Sequence, residues 1–281
     1  MLGVWWADAA LVGLLGLLIG SFLNVVIHRL PKMMEAQWAA EYAEMTEQEP
    51  PKQEKFNLLV PRSRCPACNH EIHWYENIPV FSYVALRGKC SACGAGISLR
   101  YPAVELVTGA LFFFCASRFG WTYTTTVWCI FCAAIVALTC IDWDTTLLPD
   151  DITLPLLWLG LIVAALRLNP VVNLPDALWG AVAGYLSLWG VYWLFKLVTG
   201  KEGMGYGDFK LFAALGAWFG WQALIPIILM SSVIGAIVGI AMKMSSGLRE
   251  GGYIPFGPFL AGAGLTALVF GPQSILRTIG L

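Results

Sequence analysis

Residues 9–27 read AALVGLLGLLIGSFLNVVI, nineteen positions without a charge, followed at once by His28 and Arg29. A stretch of that length and polarity is long enough to cross a bilayer. A secretory signal is the competing reading, but it would carry basic residues ahead of its apolar stretch. None precedes this one, so it is expected to remain as a first membrane span.

The same pattern recurs along the chain. Residues 102–117, 121–141, 152–166, 177–195 and 253–276 are further apolar runs, and 211–242 is a run of 32 uncharged residues. As one helix that last run would be roughly 48 Å long, well over the ~30 Å of hydrocarbon. A break near Gly220 or Pro226 is therefore expected, giving two short spans and eight in all. The fold class is an all-α polytopic membrane protein. Composition agrees. Of 281 residues, 58% are hydrophobic and 12% charged, about half the soluble average of about 25%. These values exclude a disordered chain and an ordinary soluble enzyme. A net charge of −1 gives no reason to expect a nucleic-acid partner, and thirteen Trp and nine Tyr suit anchoring at the lipid headgroups.

Basic residues set the orientation. The stretch 29–100 holds nine of the 17 Lys and Arg, Lys52 among them. With eight spans, Lys196, Lys201, Lys210, Lys243 and Arg249 fall on the same side, and only Arg118, Arg167 and Arg277 fall opposite. The positive-inside rule places 29–100 in the cytoplasm. A seven-span count gives the same sense, so helix length is the better guide to the number of spans. The expected organisation is a first transmembrane helix over 1–28, a cytoplasmic module over 29–101 and a transmembrane domain over 102–281. Within the module, Met34, Trp38, Tyr42 and Met45 recur at helical spacing among Glu35, Glu41, Glu44 and Glu47. A surface helix over 33–49 is expected, lying on the membrane or on the cysteine-bearing rest of the module, with a specific partner surface as the further alternative.

The polar stretch also carries RCPACNHEIHW and LRGKCSACGAGIS, two CxxC pairs formed by Cys65, Cys68, Cys90 and Cys93. Four thiolates can complete a tetrahedral zinc shell, and each CxxC turn aims two sulfurs at one metal. An iron centre and a redox dithiol are the rivals. A closed four-cysteine site holds a fold together and does no chemistry. His70 and His73 lie nearby but read as polar surface residues, because the shell is already full. Cys115, Cys129, Cys132 and Cys140 lie in apolar runs and read as small hydrophobes.

Acidic residues beside apolar spans are costly and therefore informative. The string ALTCIDWDTTLLPDDITLP places Asp142 and Asp144 at the end of one span and Asp150 and Asp151 at the start of the next, where helix capping is the simpler reading. Asp142 and Asp144, two apart, face different sides of a helix, so only one can face a shared partner. The string GKEGMGYGDFKLF places Asp208 behind Gly205 and Gly207, where an N-cap is again the simpler reading. Two spans lie between Asp144 and Asp208, so both sit at the same membrane boundary. Two carboxylates brought together in a partly dry site share a proton. One then acts as base on a water and the other as acid on a carbonyl oxygen. Lys210, two residues on, is expected to face away from Asp208.

Taken in order, GSFLNVVIHRLP (20–31), RSRCPAC (62–68), LRGKCSACG (86–94), ISLRYPAVE (97–105), IDWDTTLLPD (141–150) and GMGYGDFK (203–210) resemble the motifs of the type IV prepilin peptidases, GxGD aspartyl proteases of bacterial type IV pilus and type II secretion systems. The resemblance covers nearly the whole chain. It implies a bacterial inner-membrane enzyme that removes the leader of prepilins and pseudopilins on the cytoplasmic side, after a glycine. It also implies methylation of the new N-terminal residue with S-adenosylmethionine. On this resemblance Asp144 and Asp208 are the catalytic pair, Cys65, Cys68, Cys90 and Cys93 hold one structural zinc, and 102–281 is the aspartyl protease domain. Methylation rests on the resemblance alone. GMGYG is not preceded by a strand signal, as the S-adenosylmethionine loop of soluble α/β enzymes would be, so no cofactor-binding residue is assigned. Glu105, at a span start, either faces a polar cavity or pairs with Arg100 or a backbone group. A peptidase without methyltransferase activity, an ion-coupled transporter and a membrane scaffold are the alternatives. A transporter would place its carboxylates nearer mid-span.

Overall fold

The computed structural model describes residues 2–48, 55–201, 203–245 and 254–278. Lys52 and Arg249, counted above for orientation, lie outside the described residues. The chain divides into two compact units, Met1–Ala133 and Ala134–Leu281. Among the described residues the structure is helical, with two isolated β-bridges, Arg64 with Glu71 and Lys89 with Gly96.

The first unit is built on α1 (Leu2–Met45) and α3 (Arg100–Phe119). Without a hydrophobic driving force between helices in lipid, close approach needs small residues. Gly16 and Gly20 on α1 supply them: a Cβ at Gly16 would lie 2.7 Å from Phe112 Cβ, and one at Gly20 2.7 Å from Glu105 Cα. Between α1 and α3 runs the polar module, with a 3-10 turn at Trp74–Asn77 and the short helix α2 (Phe81–Ala85). Buried Arg29 ties this module to α1, its guanidinium donating to the carbonyls of Asn57 (2.8 Å) and Pro61 (2.6 Å).

The surface helix expected over 33–49 is not separate. Helix continues unbroken from the first span through Pro31 to Met45. The residues beyond Pro31 explain this: Ala36, Ala39, Ala40 and Ala43 are strong helix formers with no glycine among them, and Gln37 donates to Glu41 one turn on (2.8 Å). The boundary expected at residue 28 therefore falls inside a helix. Trp38, Tyr42 and Met45 stay exposed rather than lying on the cysteine module.

Helix α4 (Tyr123–Thr145) carries the chain into the second unit, which contains α5 (Asp150–Ala165), α6 (Leu174–Thr199), α7 (Tyr206–Phe219), α8 (Leu224–Met244), α9 (Gly257–Phe270) and α10 (Pro272–Thr278). The long apolar run breaks at Gly220, whose φ of +83° is a left-handed conformation suited to glycine. Helix α7 is the core of this unit: Asp208, Phe209 and every residue from Leu211 to Phe219 are buried. It packs against α5 and α6. At Gly180 of α6 and Gly216 of α7 the backbones approach so closely that a methyl on either would overlap the other's carbonyl. Trp218 Nε1 donates to Leu156 O on α5 (2.9 Å), and Asn169 Nδ2 donates to Trp218 O (2.8 Å).

Among the described residues each of the seven expected apolar runs is largely helical, the longest as α7 and α8. Five of these helices are long and apolar enough to cross a membrane: α1, α3, α4, α6 and the one ending at Met244. Helices α5, α7 and α9 have 16, 14 and 14 residues. A helix of 14 residues is roughly 21 Å long. Helix α7 can be this short because protein, not lipid, surrounds it.

Candidate active site and metal centre

The cysteine module is a repeat that the sequence conceals. Cys65 N donates to His70 O (2.9 Å) and Asn69 N to Cys65 O (2.9 Å). Twenty-five residues later, Cys90 N donates to Ala95 O (2.8 Å) and Gly94 N to Cys90 O (2.9 Å). The flanking bonds repeat too: Ile72 N to Ser63 O, and Ile97 N to Gly88 O. Asn69 and Gly94, the residues after each CxxC, both turn through positive φ (58° and 72°). In each turn the N–H groups of the third and fourth residues point at the first sulfur. Those of Ala67 and Cys68 lower the Cys65 thiol to about 7, and those of Cys93 and Ala92 lower the Cys90 thiol. At the first cysteine of each pair the turn favours thiolate, the form that binds metal.

The four sulfurs meet. Cys65 Sγ lies 3.8 Å from Cys93 Sγ, and Cys68 Sγ 4.0 Å from Cys90 Sγ. A tetrahedral shell with sulfurs about 2.3 Å from the metal needs them about 3.8 Å apart, so the residues fit one metal ion. The separation is far too long for a disulfide, whose S–S bond is about 2.05 Å. Glu76 links the two turns, accepting from Ser91 Oγ in the second and from His73 N (2.8 Å) after the first. Those bonds, with His70 alongside, hold its carboxyl down to about 2.

The second unit gathers the membrane-level carboxylates. Asp208 is buried in the first turn of α7, where Gly205 is the N-cap and Asp208 N donates to Gly205 O (3.2 Å). It is therefore not itself the cap. Leu148, just beyond α4, packs against Gly207 beside Asp208, and Asp142, in the last turns of α4, is buried (4% exposed). Gly257, the first residue of α9, abuts it: a Cβ there would lie 2.6 Å from Asp142 Oδ2. Asp144 is exposed, about 200° further round the helix. Asp150 and Asp151 open α5 inside its first turn, with Pro149 as the N-cap, so they do not cap it. Asp150 instead accepts both of its bonds from Lys210 Nζ (2.7 Å each), which locks the start of α7 to the start of α5. Met204 and Phe256, each beside this carboxylate region in the chain, line an apolar cavity of about 400 Å³ with Leu188, Ile228, Ile254 and Phe259.

These positions fall within matches to known families. Residues 14–119 match the Bacterial Peptidase A24 N-terminal domain, and residues 129–240 match the Type IV leader peptidase family. A protein of Pseudomonas aeruginosa named Prepilin leader peptidase/N-methyltransferase is 57% identical over 94% of this chain and 91% of its own. The chain belongs to the type IV leader peptidase family. Proteins of the same name from Aeromonas salmonicida and Burkholderia pseudomallei are 52% and 48% identical, over 98% and 92% of this chain and 94% and 84% of their own. No solved structure matches the chain significantly. As a family member it is a multi-pass membrane protein with a four-cysteine cluster that could hold a metal.

Two residues from the sequence reading take on definite surroundings. Glu105 is buried in α3, and its Oε2 accepts from Val80 N (2.8 Å), so it pairs with a backbone group. That bond pins a residue held at φ +62°. Among the described residues no strand precedes the glycines at 203, 205 and 207.

Proposed function

We propose that the chain cleaves the leader peptides of type IV prepilins and pseudopilins and methylates the new N-terminus. What carries the reading is the 57% identity over nearly the full chain to a protein named for both activities. Asp144 and Asp208 are the proposed catalytic pair, on the motifs IDWDTTLLPD and GMGYGD. Exposure of Asp144 on α4 leaves it accessible to a substrate backbone, while Asp208 is held by the buried α7. One carboxylate takes a proton from water, whose oxygen adds to the carbonyl carbon. The other carboxyl gives its proton to the carbonyl oxygen. Collapse of the tetrahedral species breaks the C–N bond as the nitrogen is protonated, leaving a leader carboxylate and a mature amine. The apolar cavity beside Met204 and Phe256 is the proposed seat for the hydrophobic stretch of the pilin.

The four cysteines are proposed to hold one structural zinc, which cross-links the two turns and takes no part in the cleavage. The protein is proposed to lie in the bacterial inner membrane with its active site on the cytoplasmic face. Support comes from the excess of Lys and Arg over 29–100 and from Lys196, Lys201 and Lys210 around the glycine loop. Residues 102–281 form the proposed protease domain.

The burial of Asp142 beside Asp208 favours a second reading in which those two form the pair. Purified protein is incubated with a prepilin and S-adenosylmethionine, and the products are weighed by mass spectrometry. Wild type yields the methylated mature pilin. Asp144→Asn and Asp208→Asn leave the precursor intact, and Asp142→Asn still cuts. An active Asp144→Asn with a dead Asp142→Asn selects the second reading. Cleavage by Asp208→Asn rejects both. Cleavage without a methyl group removes the transferase part.

A further inference from the structure

Next to the cysteine cluster lies a second group of donors that neither the closed tetrathiolate shell nor the peptidase chemistry uses. The segment NHEIHWYE (69–76) leaves the first CxxC turn and enters the 3-10 turn at Trp74–Asn77. One ligand atom each from His70, His73 and Glu76 lies within 4.8 Å of the others. His70 Nε2 is 3.2 Å from Glu76 Oε2, and the two imidazoles stand edge to face with centroids 5.5 Å apart. These residues line a cavity of about 460 Å³ together with Tyr75, Ser82 and Ser91.

We propose that His70, His73 and Glu76 form a second, open site for a divalent transition-metal ion, distinct from the four-cysteine site. The donor set, two imidazoles and a carboxylate, suits Zn²⁺, Co²⁺ and Ni²⁺. Around a tetrahedral ion about 2.1 Å from each ligand, neighbouring donors sit roughly 3.4 Å apart. The His70–Glu76 spacing already matches. No spacing exceeds 4.8 Å, so the widest must close by at most about 1.4 Å, within reach of a rotation of the exposed His73 ring. The carboxylate is oriented in advance, because Ser91 Oγ and His73 N both donate to Glu76, and outer partners of this kind fix ligands for metal. With three protein ligands and an adjoining cavity, the fourth position is open to water or to a small anionic ligand. Since Glu76 is bonded to Ser91 of the second CxxC turn, an ion here ties the 70–76 segment to that turn.

The test is cobalt titration of the full-length, untagged protein in detergent after chelation under reducing conditions. Wild type is expected to take up two equivalents. The first brings the intense near-ultraviolet thiolate-to-cobalt charge-transfer band. The second adds only weaker visible absorption. His73→Ala and Glu76→Gln should each retain the charge-transfer band and stop at one equivalent. The retained band shows that the cysteine turns still fold, so loss of the second equivalent reports the site itself. Saturation of wild type at one equivalent overturns the proposal, as does a second equivalent of unchanged affinity in His73→Ala. If Glu76→Gln loses both equivalents it has lost the module and His73→Ala decides; loss of both by His73→Ala overturns a site distinct from the cysteine shell.

Discussion

Replacing Gly216 by Ala tests whether the crossing of α6 and α7 sets the position of Asp208. The new methyl would point at the Gly180 carbonyl, and both partners are backbone, so no side chain can rotate aside. One turn nearer Asp208, at Gly184, a Cβ would already lie 2.8 Å from Phe212 O and 3.0 Å from Ala213 Cα, against 3.4 Å for ordinary contact. There the helices would part by about 0.6 Å, and at Gly216 by more. Overpacking of this kind costs about 1–3 kcal/mol, offset by at most about 1 kcal/mol from the better helix propensity of Ala. A net loss of about 1–2 kcal/mol corresponds to roughly 2–8 °C in Tm for a protein of this size class. Helix α7 moves as a rigid rod, so the shift reaches Asp208. A misplacement of about 1 Å at a reacting group costs on the order of a hundredfold in rate, and a tenfold to hundredfold fall in prepilin cleavage is expected. Gly190→Ala on the same α6 is the control, because nothing lies within 4 Å of its Cβ position. It should melt at or above wild type and cut normally. The reasoning fails if Gly216→Ala keeps both its melting point and its rate, or if Gly190→Ala loses as much.

Two further outcomes are expected. Cys65→Ser and Cys90→Ser should each lower bound zinc, measured by atomic emission, and lower thermal stability with it, because metal binding is part of the folding free energy of such a module; a double variant with full zinc would reject the site. Cleavage should follow a bell-shaped pH profile with its maximum near neutrality, because the aspartyl mechanism needs one carboxyl protonated and one ionised. It falls on the acid side as the base takes up a proton, and on the alkaline side as the shared proton is lost. A maximum below about pH 5, near the value of an isolated Asp, would contradict a carboxylate pair in a partly dry site.

The fold was legible where length and polarity decide it. Nineteen uncharged residues at 9–27 and the over-long run at 211–242 led to a span and to a break at Gly220, because bilayer thickness constrains both. The continuity of α1 was not legible, because Pro31 and the change to acidic residues look like a boundary. Only the alanines beyond them favour continuing the helix. At the metal site the two CxxC pairs were plain. The 25-residue repeat around them was hidden, because it lies in backbone hydrogen bonds and in one positive-φ position filled by Asn in one copy and Gly in the other. Glu76 carries no local signal, because its partners, Ser91 and the His73 amide, are set by the fold. Near Asp208, periodicity showed that Asp142 and Asp144 face apart. Which of them turns inward depends on how the end of α4 packs, and no local signal encodes that.

Helix α1 is 44 residues long, or roughly 66 Å, more than twice the hydrocarbon thickness. Its length therefore carries the far half past the hydrocarbon, and Arg29 clamps the loop at Asn57 and Pro61 near its middle. A flexible tether would tolerate added or removed residues; a shaft converts them into angle. One residue inserted after Lys32 would swing the outer stripe of Trp38, Tyr42 and Met45 by about 100°, whereas seven would return it nearly to phase and carry it about 10 Å outward. Whatever surface meets that stripe is therefore addressed by helical phase, and an insertion series should show its effect rising and falling with the turn of the helix rather than growing with length.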